Sequence, residues 1–154
     1  MSTPKIKGRM ILKAISGSDS FARLSPEAAV LFVMLIPHFN NHGKMQANPQ
    51  TIKGTVCPKV AYLTVSVIEE ALHEISQATD VKYFKHQGIW YLHALKFEEH
   101  QNIRIGRRGQ DVLPDYNGQE TPLPPRRPLR QPADFMLLQD YAGSNPGVVQ
   151  GGAV

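Results

Sequence analysis

A single cysteine, Cys57, among 154 residues rules out an internal disulfide framework and a four-cysteine zinc module. Long apolar stretches are missing too. The longest, from Ala28 to Ile36, stops at Pro37, far short of the roughly 20 residues that cross a bilayer. The trio Met10-Ile11-Leu12 beside the basic N-terminus is too short for a signal-peptide core of about 7–15 residues. A reducing, cytoplasmic setting with no membrane contact is therefore expected. Handles for catalysis are also absent: the chain has no Gly-x-Ser-x-Gly elbow, no Gly-x-x-x-x-Gly-Lys phosphate loop and no His-Glu-x-x-His pair. Cys57 precedes Pro58 with only Lys59 as a basic neighbour, which reads as a small buried side chain and not a nucleophile. The six histidines show no ligand spacing, since His38 and His42 straddle a predicted helix end. No enzyme, cofactor or metal is expected.

What is present divides the chain in two. Lys and Arg number 17 against 13 Asp and Glu, a formal charge of +4 that weakly favours a polyanionic partner. From Asp111 onward 12 of 44 residues are Pro or Gly, about 27%, a composition typical of chain that builds no core. Residues 1–14 read as a basic arm, 15–104 as a folded domain and 105–154 as a flexible, disordered Pro/Gly-rich tail. One island, 132–143, opens with Pro, ends at Gly and spaces Phe135, Leu138 and Tyr141 by threes, as a short amphipathic helix does.

Within the domain the order of elements is legible. Ser25-Pro26-Glu27 supplies an N-cap, a proline at the first helical position and an acid at the positive end of the dipole, predicting a helix over residues 26–39. Its nearly continuous apolar run predicts a helix surrounded by others. Asn40-Asn41-His42-Gly43 ends it, a short extended piece covers 44–47, and Asn48-Pro49 starts a second helix over 49–56. Ser66-Val-Ile-Glu69 matches a capping box for a third helix, with Val67, Ile68, Ala71, Leu72 and Ile75 on one face and Glu69, Glu70, His73, Glu74 and Gln77 on the other. The period then changes to two: Val81, Tyr83 and Lys85, then 89–92 after Gln87-Gly88, read as two strands and a tight turn. Helix, short strand, helix, helix, hairpin is an α+β layout: a winged helix-turn-helix with a three-helix core and a β-hairpin wing.

Several segments also resemble a known family. Leu24-Ser-Pro-Glu-Ala-Ala-Val-Leu-Phe32, the Asn41-His-Gly-Lys44 turn, Pro49-Gln-Thr-Ile-Lys53 and Tyr91-Leu-His-Ala-Leu-Lys-Phe-Glu-Glu-His-Gln101 resemble the N-terminal winged-helix domain of bacteriophage replication-initiation and replisome-organiser proteins. The resemblance covers about residues 10–104. It implies a phage or prophage DNA-binding module that helps start replication and recruits a helicase or helicase loader through its C-terminal region, here Phe135, Leu138 and Tyr141. It also implies that His100-Gln101 closes the linker onto the domain. Two departures stand out: Glu69, Glu70 and Glu74 occupy the helix that such a fold sets in the groove, and the tail is short for a second domain.

If duplex DNA is the partner, its cations come from elsewhere: Lys5, Lys7, Arg9 and Lys13 in the arm, Lys53 and Lys59 around the second helix, Lys82 and Lys85 on the hairpin, and Arg104, Arg107 and Arg108 beyond it. Such groups neutralise phosphates without reading sequence. Tyr62 and Thr64 add polar contacts at the tip of the third helix. Tyr83, Phe84, Trp90, Tyr91 and Phe97 could stack on single strands, although core packing is the commoner fate of alternating aromatics. The same fold also serves small transcriptional regulators, which dimerise over two half-sites, and interaction modules that never touch DNA. Replacing Arg104, Arg107 and Arg108 by alanine is expected to weaken duplex binding and to flatten its logarithmic salt dependence by about 2–3. A salt titration with an unchanged slope rejects that assignment.

Overall fold

The computed structural model describes residues 7–103 and 109–119. Lys5, Arg104, Arg107, Arg108 and the island with Phe135, Leu138 and Tyr141 lie outside the described residues. Among the described residues the architecture is α+β: five α-helices and a three-stranded antiparallel sheet, in an order compatible with a winged helix. A 3₁₀ turn, Lys13–Gly17, leads into α1, Asp19–Ala22, and then come α2, Pro26–Leu35; β1, Lys44–Gln46; α3, Pro49–Thr55; α4, Val65–Ala78; β2, Val81–His86; β3, Ile89–Ala94; and α5, Phe97–His100. β3 is central, pairing with β1 on one side and β2 on the other.

Ser25 caps α2 as expected, its hydroxyl accepting from Ala28 N–H. The helix is shorter than predicted. Proline at position 37 has no amide hydrogen and its ring crowds the carbonyl four residues back, so residues 36–38 tighten into a 3₁₀ turn. The apolar run is also less enclosed than expected: only Ala28, Leu31 and Leu35 of α2 are fully buried. Asn48 caps α3 by accepting from Gln50 N–H.

The start of α4 corrects the capping-box prediction. Thr64 is the N-cap, its hydroxyl accepting from Val67 N–H, and Ser66 sits inside the first turn. Leu63 precedes the cap and Ile68 occupies the fourth helical position, and both are fully buried, the arrangement of a hydrophobic staple. Burial of that pair sets the entry of the chain and moves the cap ahead of Ser66. The outward face of α4 is corrected as well. Glu74 is buried, its Oε2 accepting from both Ser25 N–H at 3.0 Å and Ser25 hydroxyl at 2.9 Å. His73 also turns inward, edge-on to Tyr83, so Glu69, Glu70 and Gln77 are what remains of the predicted outer face. Glu74 thus plays toward α2 the part that a capping-box glutamate plays within one helix.

β2 and β3 meet through a two-residue turn in which Gln87 and Gly88 both have positive φ, 49° and 80°. That is the type I′ geometry a twisted hairpin favours. Gly43, at φ 73°, cannot be replaced: a Cβ there would lie 2.5 Å from that of Phe97.

Alanine at Glu74 leaves Ser25 without its acceptor inside the protein and is expected to cost about 1–3 kcal/mol. Alanine at exposed Glu69 is expected to stay within about 0.5 kcal/mol. Urea midpoints at constant m-value separate the two cases.

Candidate nucleic-acid interface

The sheet has two faces and both are covered. Tyr83, on the inner face, meets His73 of α4 edge-on at 5.6 Å and stacks on Trp90 at 4.5 Å. Its neighbour Phe84 points the other way and is nevertheless fully buried, against Tyr91 and Tyr116. Tyr116 belongs to residues 109–119, which the sequence assigns to the tail but which lie across the outer face of the sheet. The strap is held by Lys44 of β1. Its ammonium is buried, donates to Asp111 at 2.6 Å and to the Leu113 carbonyl at 3.1 Å, and pairs with Asp115. Burial alone would lower the Lys44 pKa, but the bonds to Asp111 and Asp115 outweigh it and raise it. Hydrogen bonding to Lys44 holds the Asp115 carboxyl below its usual value.

The cations expected to meet phosphate fall into two groups. Arg9 donates to the Phe39 carbonyl and the Asn41 side chain and lies 5.2 Å over the Phe97 ring. Lys53 donates to the carbonyls of Cys57 and Val60, closing the turn after α3. Lys82 donates to the Ser76 carbonyl in the last turn of α4, where a cation also suits the dipole. These three are engaged inside the fold. Lys7, Lys13, Lys59 and Lys85 are exposed, and Lys85 lies 5.8 Å over Trp90 on the hairpin. Tyr62, at 56% exposure, stands in the turn between α3 and α4, and Thr64 is exposed although its hydroxyl serves the cap.

The stacking-platform alternative loses most of its members: Tyr83, Phe84, Tyr91 and Phe97 are all buried, leaving Trp90 half-buried between Tyr83 and Lys85. Cys57 is fully buried and burial pushes its thiol pKa up, the opposite of what a nucleophile needs. Among the described residues no three His, Cys, Asp or Glu side chains gather as a metal site, and no helix is long and apolar enough to cross a membrane. Gln101, beside His100, exchanges two hydrogen bonds with the Met10 backbone at 3.0 and 2.8 Å, so it ties the arm to the end of the domain.

Sequence reasoning missed the strap and the clamp on the arm. A signal for the strap existed: Phe84 and Tyr91 pair across β2 and β3 on the outer face, and two facing aromatics left to water are a reason to look for a cover. No protein-family model, no curated protein and no solved structure matches the chain.

His93 of β3 gives the strap a pH dependence. Its Nδ1 accepts from Tyr116 N–H at 3.1 Å, which only an unprotonated nitrogen can do. Burial first, and then Lys44, lower its pKa below the ordinary value, although Asp115 and Asp111 pull the other way. The unfolded chain therefore takes up the proton first, and the stability gained from neutral His93 is complete above about pH 6.5 and is lost as pH falls from there to the lowered folded value. His73, also lowered by burial, shares that window, so a local readout is required. The Tyr116 amide resonance is expected to titrate with a midpoint below about 6.5, and His93→Gln to remove the titration. A midpoint at or above the ordinary histidine value contradicts the arrangement.

Proposed function

We propose that this chain is a DNA-binding winged-helix protein of the phage or prophage kind, acting in replication initiation through backbone-dominated duplex binding and recruitment of a helicase or helicase loader. The role is one of binding and not of catalysis. The observation that carries it is the coincidence of element order with exposed side chains. In a winged helix the two parts that meet a duplex are the turn into the third core helix and the wing. Here the first carries Lys59 and Tyr62, and the second carries Lys85. Lys7 and Lys13 add cations from the arm.

Contacts to phosphate are favoured over contacts to bases. The outer side of α4 offers Glu69, Glu70 and Gln77 and no arginine or lysine, and carboxylates against a phosphate wall are repelled. Cytosine amino groups are the one base feature that glutamate reads well. The same two acids favour a second reading, a winged helix used as a protein-interaction module with α4 as its contact face. A transcriptional regulator would instead require a dimer on two half-sites.

The test is a mobility shift of the full chain on duplex and single-stranded probes across a salt series. Binding of unrelated duplexes with similar affinity is expected, and Lys59→Ala with Lys85→Ala is expected to reduce the salt slope by about 2. Protection of one defined operator would point to the regulator, and absence of binding even at low salt to the interaction module.

A further inference from the structure

Four large apolar side chains that stay exposed, Met10, Ile11, Leu12 and Leu95, surround one cavity of about 300 Å³. The arm forms one wall and the stretch from Ala94 to Gln101 another, with Phe32 and Leu35 of α2 and Phe97 of α5 beneath. The arm is fixed there by Arg9 and by the exchange between Met10 and Gln101, so the groove is a built feature of the described residues. Its volume is at the small end of ligand sites, roughly 300–1,000 Å³, and suits a few anchoring side chains.

We propose that residues 132–143 of this same chain occupy the groove, with Phe135, Leu138 and Tyr141 as the anchors. Three features of the chain support that occupant. Its apolar side chains recur at the spacing a helix laid in a groove requires. Its charge suits the rim: Asp134 and Asp140 flank the anchors, and exposed Lys13 follows Leu12, while Lys96 in the groove wall is already paired with Asp80 at 3.6 Å. It is also within reach. Between Gln119, the last described residue, and Phe135 the chain is Pro-rich, and at about 3.1 Å per residue it spans about 50 Å. The strap is already bonded through Tyr116 to His93, the neighbour of Ala94 in the groove wall, so the groove lies well within that span. A tether of this length sets an effective concentration in the millimolar range, which favours the segment over a second copy at ordinary protein concentrations.

The inference does not depend on DNA binding. It bears on recruitment, because a partner that takes hold of Phe135, Leu138 and Tyr141 has to draw them out of the groove first.

The experiment compares amide spectra of the full chain with those of the full chain carrying Phe135→Ala, Leu138→Ala and Tyr141→Ala, changes that leave the domain core untouched. The amides of Ile11, Leu12, Leu95, Lys96 and Gln101 are expected to shift, those of Gln87 and Ile89 at the hairpin to stay, and the pattern to persist on dilution. In the converse variant Leu95→Glu, at an exposed rim position, the amides of residues 135–141 are expected to move. Groove amides that coincide in the two chains overturn the proposal, as do tail amides unmoved by Leu95→Glu. Shifts that fade on dilution overturn it in favour of a second copy.

Discussion

One carboxylate oxygen holds the helical half of this protein in register. Placing Glu74 among apolar neighbours carries a desolvation cost of several kcal/mol unless its charge is met by donors. Here it is met by the amide and hydroxyl of Ser25 at the N-terminus of α2, where the helix dipole also favours an anion. These bonds favour the observed offset, the one that brings Leu31 and Leu35 of α2 into the same core as Ile68, Leu72 and Ile75 of α4. The end of α4 carries that register to the sheet. Ser76 hydroxyl accepts from Tyr83 N–H and the Ser76 carbonyl accepts from Lys82, so β2 starts where α4 dictates.

The sheet faces the complementary problem. Three strands with one face on the helices leave the other to water, and on this protein that other face carries Phe84 and Tyr91. Residues 109–119 cover it, and the cover is positioned by a charge, not by apolar area alone. Lys44 is buried with an ammonium that must be paired, and the two carboxylates that pair it both come from the strap. Removing the carboxylates leaves the buried ammonium uncompensated, whereas Asp111 and Asp115 are open enough to be solvated, so it is the lysine that fixes the seat of the strap. His93 adds a neutral hydrogen bond beside that charged one, which makes the same contact firm at neutral pH and weaker in acid.

How much of this was legible follows from how local each signal is. Ser25-Pro26, Asn48-Pro49 and Gln87-Gly88 act on backbone within a few residues of themselves, and the elements they announce are present at those places. Pro37 is as local, and by tightening residues 36–38 into a 3₁₀ turn it ends α2 at Leu35, ahead of the stop that Asn40-Asn41-His42-Gly43 marks. The start of α4 needed knowledge of burial: two caps compete there, and Leu63 with Ile68 decides between them. Glu74 lies at a position where spacing cannot separate the outer face from the boundary with α2, so only the partner 49 residues away reveals its role. The strap was lost to composition, because proline and glycine content describes residues 111–154 as a whole and averages away Asp111, Asp115 and Tyr116. The candidate site suffers most. Exposed cations and cations bound to carbonyls look alike in sequence, and Arg9, Lys53 and Lys82 were indistinguishable from Lys7, Lys59 and Lys85.

That distinction limits the strength of any duplex contact. Each phosphate neutralised contributes about 0.9 to the salt slope, so counting all the lysines and arginines nominated from sequence overstates the electrostatic footprint. Of the nominated cations within the described residues, Lys7, Lys13, Lys59 and Lys85 are exposed, and four phosphate contacts correspond to a slope of about 3.6. A slope of that size gives modest affinity at physiological salt, without base contacts on α4 to add to it. Under the proposed reading the single domain therefore holds DNA weakly, and stable occupancy has to come from further cations in cis or from several copies on one duplex, where each bound copy raises the effective concentration of the next. Under that reading and the proposed seating of residues 132–143, specificity would reside in what the segment recruits, and the selective step would be the release of Phe135, Leu138 and Tyr141 and not the reading of bases.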